Sequence, residues 1–231
     1  MDWYIGIDLG TSTLKGLLVN EVGEICGEAS AEYPVSYPRP GWSEQNPADW
    51  VEAMGRVLAE LSAGRREDIK GISFGGQMHG LVALNGEGRV IRPCILWNDG
   101  RTEKQVAYLN ETVGRKRLSA CTGNIAFAGF TAPKLLWLRE NEPENFARIR
   151  KIMLPKDYLV YRLTGQYSTD YSDASGTLLL DVAHRRWSDE MCGRCGVEPG
   201  WLPPLHESWE AVGRALPEYG LPNAAAAIGT Q

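Results

Sequence analysis

Cysteine is scarce in this sequence and unpatterned where it occurs. The five residues Cys26, Cys94, Cys121, Cys192 and Cys195 are odd in number and scattered over 231 positions, whereas disulfide-stapled domains are short and carry even sets, so free thiols are expected. Cys192-Gly193-Arg194-Cys195 has redox or metal spacing, but no second pair and no nearby histidine completes a ligand set, and the spacing is assigned to chance at a helix end. The amino terminus lacks the basic start and apolar core of a secretory signal, and no later apolar stretch approaches a bilayer span. Those absences predict a cytoplasmic protein without a membrane partner. Long runs of one charge are missing too: 24 Lys and Arg stand against 29 Asp and Glu, a formal net charge of −5, which gives no support to a nucleic-acid partner. No repeat or low-complexity tract interrupts the chain.

What is present is an ordinary globular composition, 43% hydrophobic and 23% charged, long enough for a sizeable core and expected to form one compact domain. Tyr4–Ile7 and Thr13–Val19 are strand-like runs joined by turn chemistry at Leu9–Ser12. A second turn at Glu21–Glu24 leads into Ile25–Tyr33, so the chain is expected to open with three antiparallel strands. Asn46 stands at an N-cap with Pro47 first in the helix and Asp49 third, and Trp50, Met54, Val57, Leu58 and Leu61 recur at helical spacing. Ile69–Phe74 predicts a buried strand, followed by strand-like runs at Leu81–Leu84 and Val90–Trp97. Beyond Arg101 the pattern is helical over Thr102–Gly114, Thr131–Asn141, Pro143–Arg150 and Tyr158–Leu163, the last closed by Gly165. Strands first with helices interleaved later is an α/β order. The tail, Leu221 to Gln231, is apolar and stops where another element should begin, as though cut from a longer chain.

Two segments carry candidate chemistry. Asp8-Leu9-Gly10-Thr11-Ser12-Thr13-Leu14-Lys15 crosses the first hairpin turn and combines a carboxylate, a glycine, three hydroxyls and a cation. Turn N–H groups and hydroxyls can donate to phosphate oxygens, Lys15 can offset charge, and Asp8 can hold hydrated Mg²⁺. It is not a Walker loop, having neither the glycine-to-lysine spacing nor a strand-to-helix context; taken alone it is equally a polar turn. Gln77-Met78-His79-Gly80 ends the buried strand, where open α/β sheets gather ligand groups. His79 can bond a hydroxyl beside the adaptable wall of Met78, or be a satisfied structural histidine. Trp97-Asn98-Asp99 and Ser172–Thr177 can line a cleft or form Asx-type turns. His184 and His206 have no carboxylate or cysteine company that would make them ligands.

Together with Trp42-Ser43-Glu44-Gln45, Phe130–Trp137 and Leu154–Leu159, these blocks resemble in order and spacing the amino-terminal half of the FGGY carbohydrate kinases, with Gln77-Met78-His79-Gly80 pointing to the xylulokinase branch. The resemblance implies an actin-like ATPase fold, a ribonuclease-H-like domain with a mixed sheet flanked by helices. It implies ATP and Mg²⁺ as cofactors, with Gly10, Thr11, Ser12, Thr13 and Lys15 facing the phosphates and Asp8 organising the metal. Met78 and His79 would hold a ketose, D-xylulose, with Trp97, Asn98 and Asp99 shaping its pocket; ribulose, a gluconate-like acid or non-catalytic sugar binding remain alternatives. The expected partners are that ketose, the protein's own C-terminal nucleotide-binding domain and a second copy in a homodimer. Family members carry a Gly-Asp element, whose aspartate is the catalytic base, before Asn-Ala-Ala. Here Asn223-Ala224-Ala225 follows Pro222 directly, so the base has no counterpart in these residues, either a short loop is missing before Asn223 or the chain was altered there, Asn223 itself is expected to touch sugar, and the fragment alone is expected to be inactive.

Overall fold

A computed structural model describes residues 1–230; Gln231, the last position of the apolar tail, lies outside the described residues. The principal sheet has six strands: β1 (Trp3–Leu9), β2 (Thr13–Asn20), β3 (Ile25–Glu32), β4 (Ile69–Gly76), β5 (Ala211–Arg214) and β6 (Ala225–Ala227). Its spatial order is β5-β6-β4-β1-β2-β3. The first three strands form the expected antiparallel meander, because their buried residues alternate along each strand and two tight turns return the chain. β4 and then β6 run parallel to β1, which makes the sheet mixed.

One face of the sheet is covered by two of the three longest helices, α1 (Pro47–Leu61) and α3 (Pro155–Thr164); the other long helix is α2 (Thr131–Asn141). α1 starts where its cap predicts, with the Asn46 side chain accepting from Ala48 N–H, and it buries Trp50, Ala53, Met54, Val57, Leu58 and Leu61. α3 ends in a left-handed Gly165 at φ 72°. Both helices and the sheet share one apolar core. A second core gathers around α2, whose residues Thr131 to Leu138 are all buried, as befits a helix enclosed on every side rather than striped.

The sequence pattern is less accurate in this second region. The single helix expected over Thr102–Gly114 is a short α-helix at Glu103–Ala107 that widens into a π-helical stretch over Tyr108–Gly114. A further helix, Arg115–Thr122, buries only Leu118 and Thr122 and so leaves no apolar stripe to read. The helix from Pro143 stops at Ala147, and Lys151–Met153 pairs antiparallel with Val82–Leu84. Within Val90–Trp97 only Cys94–Ile95 is a strand. Cys192 and Cys195 lie in the helix Asp189–Cys195, both free and buried, with burial pushing their thiols up to about 11 and about 12; low-pKa redox chemistry is not their environment. Among the described residues no helix is long and apolar enough to cross a membrane.

Candidate active site

The β1–β2 turn and the loop after β4 open on one crevice. A cavity of about 330 Å³ is lined by Asp8, Gly10, Thr11, Gln77, Met78, His79 and Trp97. A second cavity, about 590 Å³, lies on the other side of Asp8 and takes in Lys15, Ser208, Trp209, Gly229 and Thr230. The parallel pairing of β4 with β1 places both loops at the same end of the sheet, and Gln77 N–H continues that pairing by donating to Leu9 C=O at 2.7 Å.

The turn is held by side chains that reach its carbonyls. Tyr33 O–H donates to Gly10 C=O at 2.6 Å and Gln45 Nε2 to Thr11 C=O at 2.6 Å, while Gly10 N–H closes the turn on Thr13 C=O at 3.1 Å. A trans peptide points its C=O and its N–H in opposite directions, and the described residues contain no cis bond. With the carbonyls of Gly10 and Thr11 drawn inward, the N–H groups of Thr11 and Ser12 point outward, and no described residue accepts from them. Successive outward amides of this kind form an anion-binding concavity. A Cβ at Gly10 would lie 2.8 Å from Thr13 O, so glycine is needed for the approach. Burial, and secondarily the Asp8 carboxylate, pushes the Tyr33 phenol above its ordinary range, so it remains a donor.

Asp8 and Lys15 face each other across β1 and β2 and are both exposed. Among the described residues no group of three His, Cys, Asp or Glu side chains is arranged to hold a metal. A single exposed carboxylate beside an anion cradle nevertheless suits Mg²⁺, which keeps waters and binds through one or two carboxylates plus phosphate oxygens.

His79 is held differently. Its φ is +64°, and Gly80 N–H bonds back to Met78 C=O at 2.8 Å, a three-residue turn of a rare, strained hand. The His79 carbonyl is clamped by Thr131 Oγ1 at 3.1 Å and Lys134 Nζ at 2.8 Å. Lys134 is fully buried and also donates to Gly129 C=O at 2.6 Å; burial pushes its ammonium down to about 7. The His79 ring packs on Phe130 with centroids 4.6 Å apart, and its Nδ1 lies 3.1 Å from Gly176 C=O. A carbonyl only accepts, so Nδ1 carries the proton and Nε2 presents a lone pair. Burial, with the neighbouring Lys134 charge, lowers the imidazole to about 4, keeping it neutral. Gly176 makes room for the ring, since a Cβ there would come 2.6 Å from Nδ1. Beneath Gly176 the helix Tyr171–Ser175 is pinned by Lys156, fully buried, at 2.8 Å from Asp157, 2.7 Å from Asp170 and 3.3 Å from Asp173. Three carboxylates around one ammonium leave excess negative charge, and burial pushes Asp173 up to about 6.

The remaining expected residues divide. Trp97 lines the crevice and its Nε1–H donates to Thr11 Oγ1 at 3.1 Å, joining the two walls. Asn98 turns away into a groove lined by Tyr37 to Ser43. Asp99 is not a pocket residue: it is 1% exposed, paired with Arg101 at 2.7 Å, and accepts from Ser43 N–H at 2.6 Å. Arg101 is itself stacked 3.8 Å over Trp42, so Asp99 fixes the loop that carries Trp97. Asn223 is also misplaced by the sequence reading. Its Nδ2 donates to Glu67 C=O at 2.7 Å, just before β4 begins, and β6 then runs parallel to β4. Asn223 therefore sits at the far end of the sheet from His79, whereas Gly229 and Thr230 reach the crevice. Pro222 and Asn223 lie in a turn closed by Ala224 N–H on Leu221 C=O at 3.2 Å, which leads straight into β6. His184 and His206 each have one carboxylate neighbour, Asp181 at 2.8 Å and Glu210 at 2.9 Å, both outside the crevice. The structure adds Gln45, Lys134 and Gly176 to the site. All three lie in blocks singled out in the sequence, but nothing local assigns their long-range partners.

The family model for the N-terminal domain of the FGGY family of carbohydrate kinases matches residues 3–228. The xylulose kinase of Bacillus subtilis is 47% identical over 220 residues, 94% of this chain and 44% of that protein. A crystal structure of a xyloylose kinase from Brucella ovis superposes with TM-score 0.92 at 47% identity, covering 99% of this chain and 47% of the other. A gluconate kinase from Lactobacillus acidophilus superposes with TM-score 0.94 at 25% identity, covering 99% and 48%. The chain thus spans less than half the length of these relatives. With a ribonuclease-H-like sheet, a phosphate-type turn and a match along almost all its length, the chain belongs to the FGGY family of carbohydrate kinases as an N-terminal domain.

Proposed function

We propose that the full-length protein transfers the γ-phosphoryl group of MgATP to O5 of D-xylulose, giving D-xylulose 5-phosphate, and that this chain supplies one wall of the active-site cleft. The observation that carries the reading is the opening of outward amides and a lone-pair imidazole on one crevice, with Asp8 between them. MgATP, when bound, supplies the transferable group and a divalent charge. The Thr11 and Ser12 N–H groups would donate to its phosphate oxygens, with the Thr13 hydroxyl at the same turn, Lys15 would offset phosphate charge, and Asp8 would help hold the magnesium. His79 Nε2 accepts from a ketose hydroxyl, and Met78 and Trp97 form the apolar sides that exclude water. The general base has no counterpart among these residues and the adenine-binding part of the nucleotide site would belong to a C-terminal domain, so the isolated chain would position substrates without turning them over.

Identity favours the ketose: the gluconate kinase shares the fold at 25%, the xylulose kinase is at 47%. ADP release by the full-length enzyme across D-xylulose, D- and L-ribulose, glycerol and gluconate tests this. D-xylulose should give the highest kcat/KM, and equal release with every sugar contradicts the reading.

A further inference from the structure

We propose that Gln45 is a positioning residue that fixes the phosphate-facing turn and the sugar-facing loop in one register; the kinetic part of this rests on the kinase reading above. Gln45 lies on the two-residue strand Glu44–Gln45, paired with Cys94–Ile95. Successive strand residues point to opposite faces. Glu44 turns to Arg92 at 2.5 Å and Arg101 at 2.7 Å, and Gln45, 2% exposed, turns under the crevice.

Its carboxamide is saturated. Nε2 donates to Thr11 C=O at 2.6 Å and Pro34 C=O at 3.3 Å, while Oε1 accepts from Trp50 Nε1 at 3.2 Å and Gln77 Nε2 at 2.9 Å. The orientation is forced, because two carbonyls can only accept and an indole can only donate. Forcing Gln45 also forces Gln77, which must present its NH₂. The other end of Gln77, Oε1, is buried without a partner, so the Gln45 bond alone sets that side chain, next in sequence to Met78 and His79. On the opposite side, the bond to Thr11 C=O is what turns Ser12 N–H outward. One amide thus holds residues 34 positions before it and 32 after it, and its donor half serves the turn while its acceptor half serves the sugar loop.

The halves are separable by substitution. Gln45→Glu keeps size and both accepted bonds but sets a carboxylate oxygen against the Thr11 and Pro34 carbonyls. In the full-length enzyme at pH 8 it should raise the nucleotide KM about tenfold, the loss of one to two hydrogen bonds, leave the sugar KM within about twofold, and recover toward pH 6 as the carboxyl regains a proton to donate. Gln77→Met should raise only the sugar KM. Gln45→Met should raise both, and adding Gln77→Met should not worsen its sugar KM further. A purely structural Gln45 would lower thermal stability without this split. Equal effects of Gln45→Glu on the two KM values, or none on either in folded enzyme, overturn the proposal. If Gln45→Met does not fold, the Gln45→Glu split decides alone. If the wild-type enzyme phosphorylates no sugar, the kinase reading fails, and amide exchange decides the inference: Gln45→Glu should speed exchange at the bonded turn amides of Gly10 and Tyr33, which donate to Thr13 and Ser12 C=O, and leave Gln77–Gly80 unchanged, while unchanged exchange at the turn overturns it.

Discussion

The two walls of the crevice are built on different physics. The β1–β2 turn is held by neutral groups, a phenol, a carboxamide and an indole, that bond its backbone and Thr11 Oγ1. The His79 loop is held by a fully buried lysine under its carbonyl and, one layer down, by a second buried lysine among three aspartates. Neutral hydrogen bonds contribute modestly and fail gently. A buried ammonium that loses its role leaves its partners unpaired, which is costly. If, as proposed, the turn faces phosphate and the His79 loop faces sugar, the phosphate wall should tolerate substitution and acid better than the sugar wall.

The largest expected effect is Lys134→Met, which strips the buried carbonyls of His79 and Gly129 of a donor. Urea unfolding should show a loss of about 2–4 kcal/mol, and a loss below about 1 kcal/mol would erase the contrast between the walls. Gly176→Ala comes next. Its methyl collides with the imidazole, so in the full-length enzyme the sugar KM should rise about tenfold or more, a misplacement effect, with the nucleotide KM unchanged; a matching rise in both would mean the walls are not independent. Acid is a milder probe. His79 is lowered from 6.5 to about 4 in the fold, so the unfolded chain binds its proton first. Its contribution to stability is intact above 6.5 and is lost as pH falls toward 4, whereas sugar affinity should fall only as pH approaches 4, where the folded imidazole itself takes a proton and Nε2 can no longer accept. His79→Asn, which tolerates positive φ, should flatten that dependence, and an unaltered pH profile would contradict it. The smallest effect is Tyr33→Phe, about 1 kcal/mol, because Gln45 and Trp97 still hold the turn; a cost like that of Lys134→Met would break the comparison from the other side.

The same division decides what was legible in the sequence. The opening meander, the Asn46 cap and α1 come from contacts between near neighbours, and turn residues with period-two and helical spacings report those directly. Asp8, Gly10 and Lys15 could be grouped on one turn from the sequence because the hairpin they decorate is local. The sugar wall is assembled across 52 to 97 positions, from Thr131, Lys134 and Gly176 onto His79, and no spacing rule spans that distance. Asp99 went astray as a pocket residue because it forms the Asx-type turn that was its alternative, accepting from Arg101 N–H at 2.9 Å, and its ion pair with Arg101 buries it away from the crevice. Asn223 went astray because a motif was matched without strand direction, and the parallel run of β6 beside β4 puts that residue at the wrong end. Arg115–Thr122 hid because a mostly exposed helix has no apolar period.

The most direct test is a crystal structure of the full-length enzyme with a non-hydrolysable ATP analogue, Mg²⁺ and D-xylulose. Phosphate oxygens should accept from the Thr11 and Ser12 N–H groups while a sugar hydroxyl donates to His79 Nε2, both in the crevice that meets at Asp8. Ligands seated elsewhere, or a sugar bonded to His79 with the phosphates away from the turn, would contradict the account.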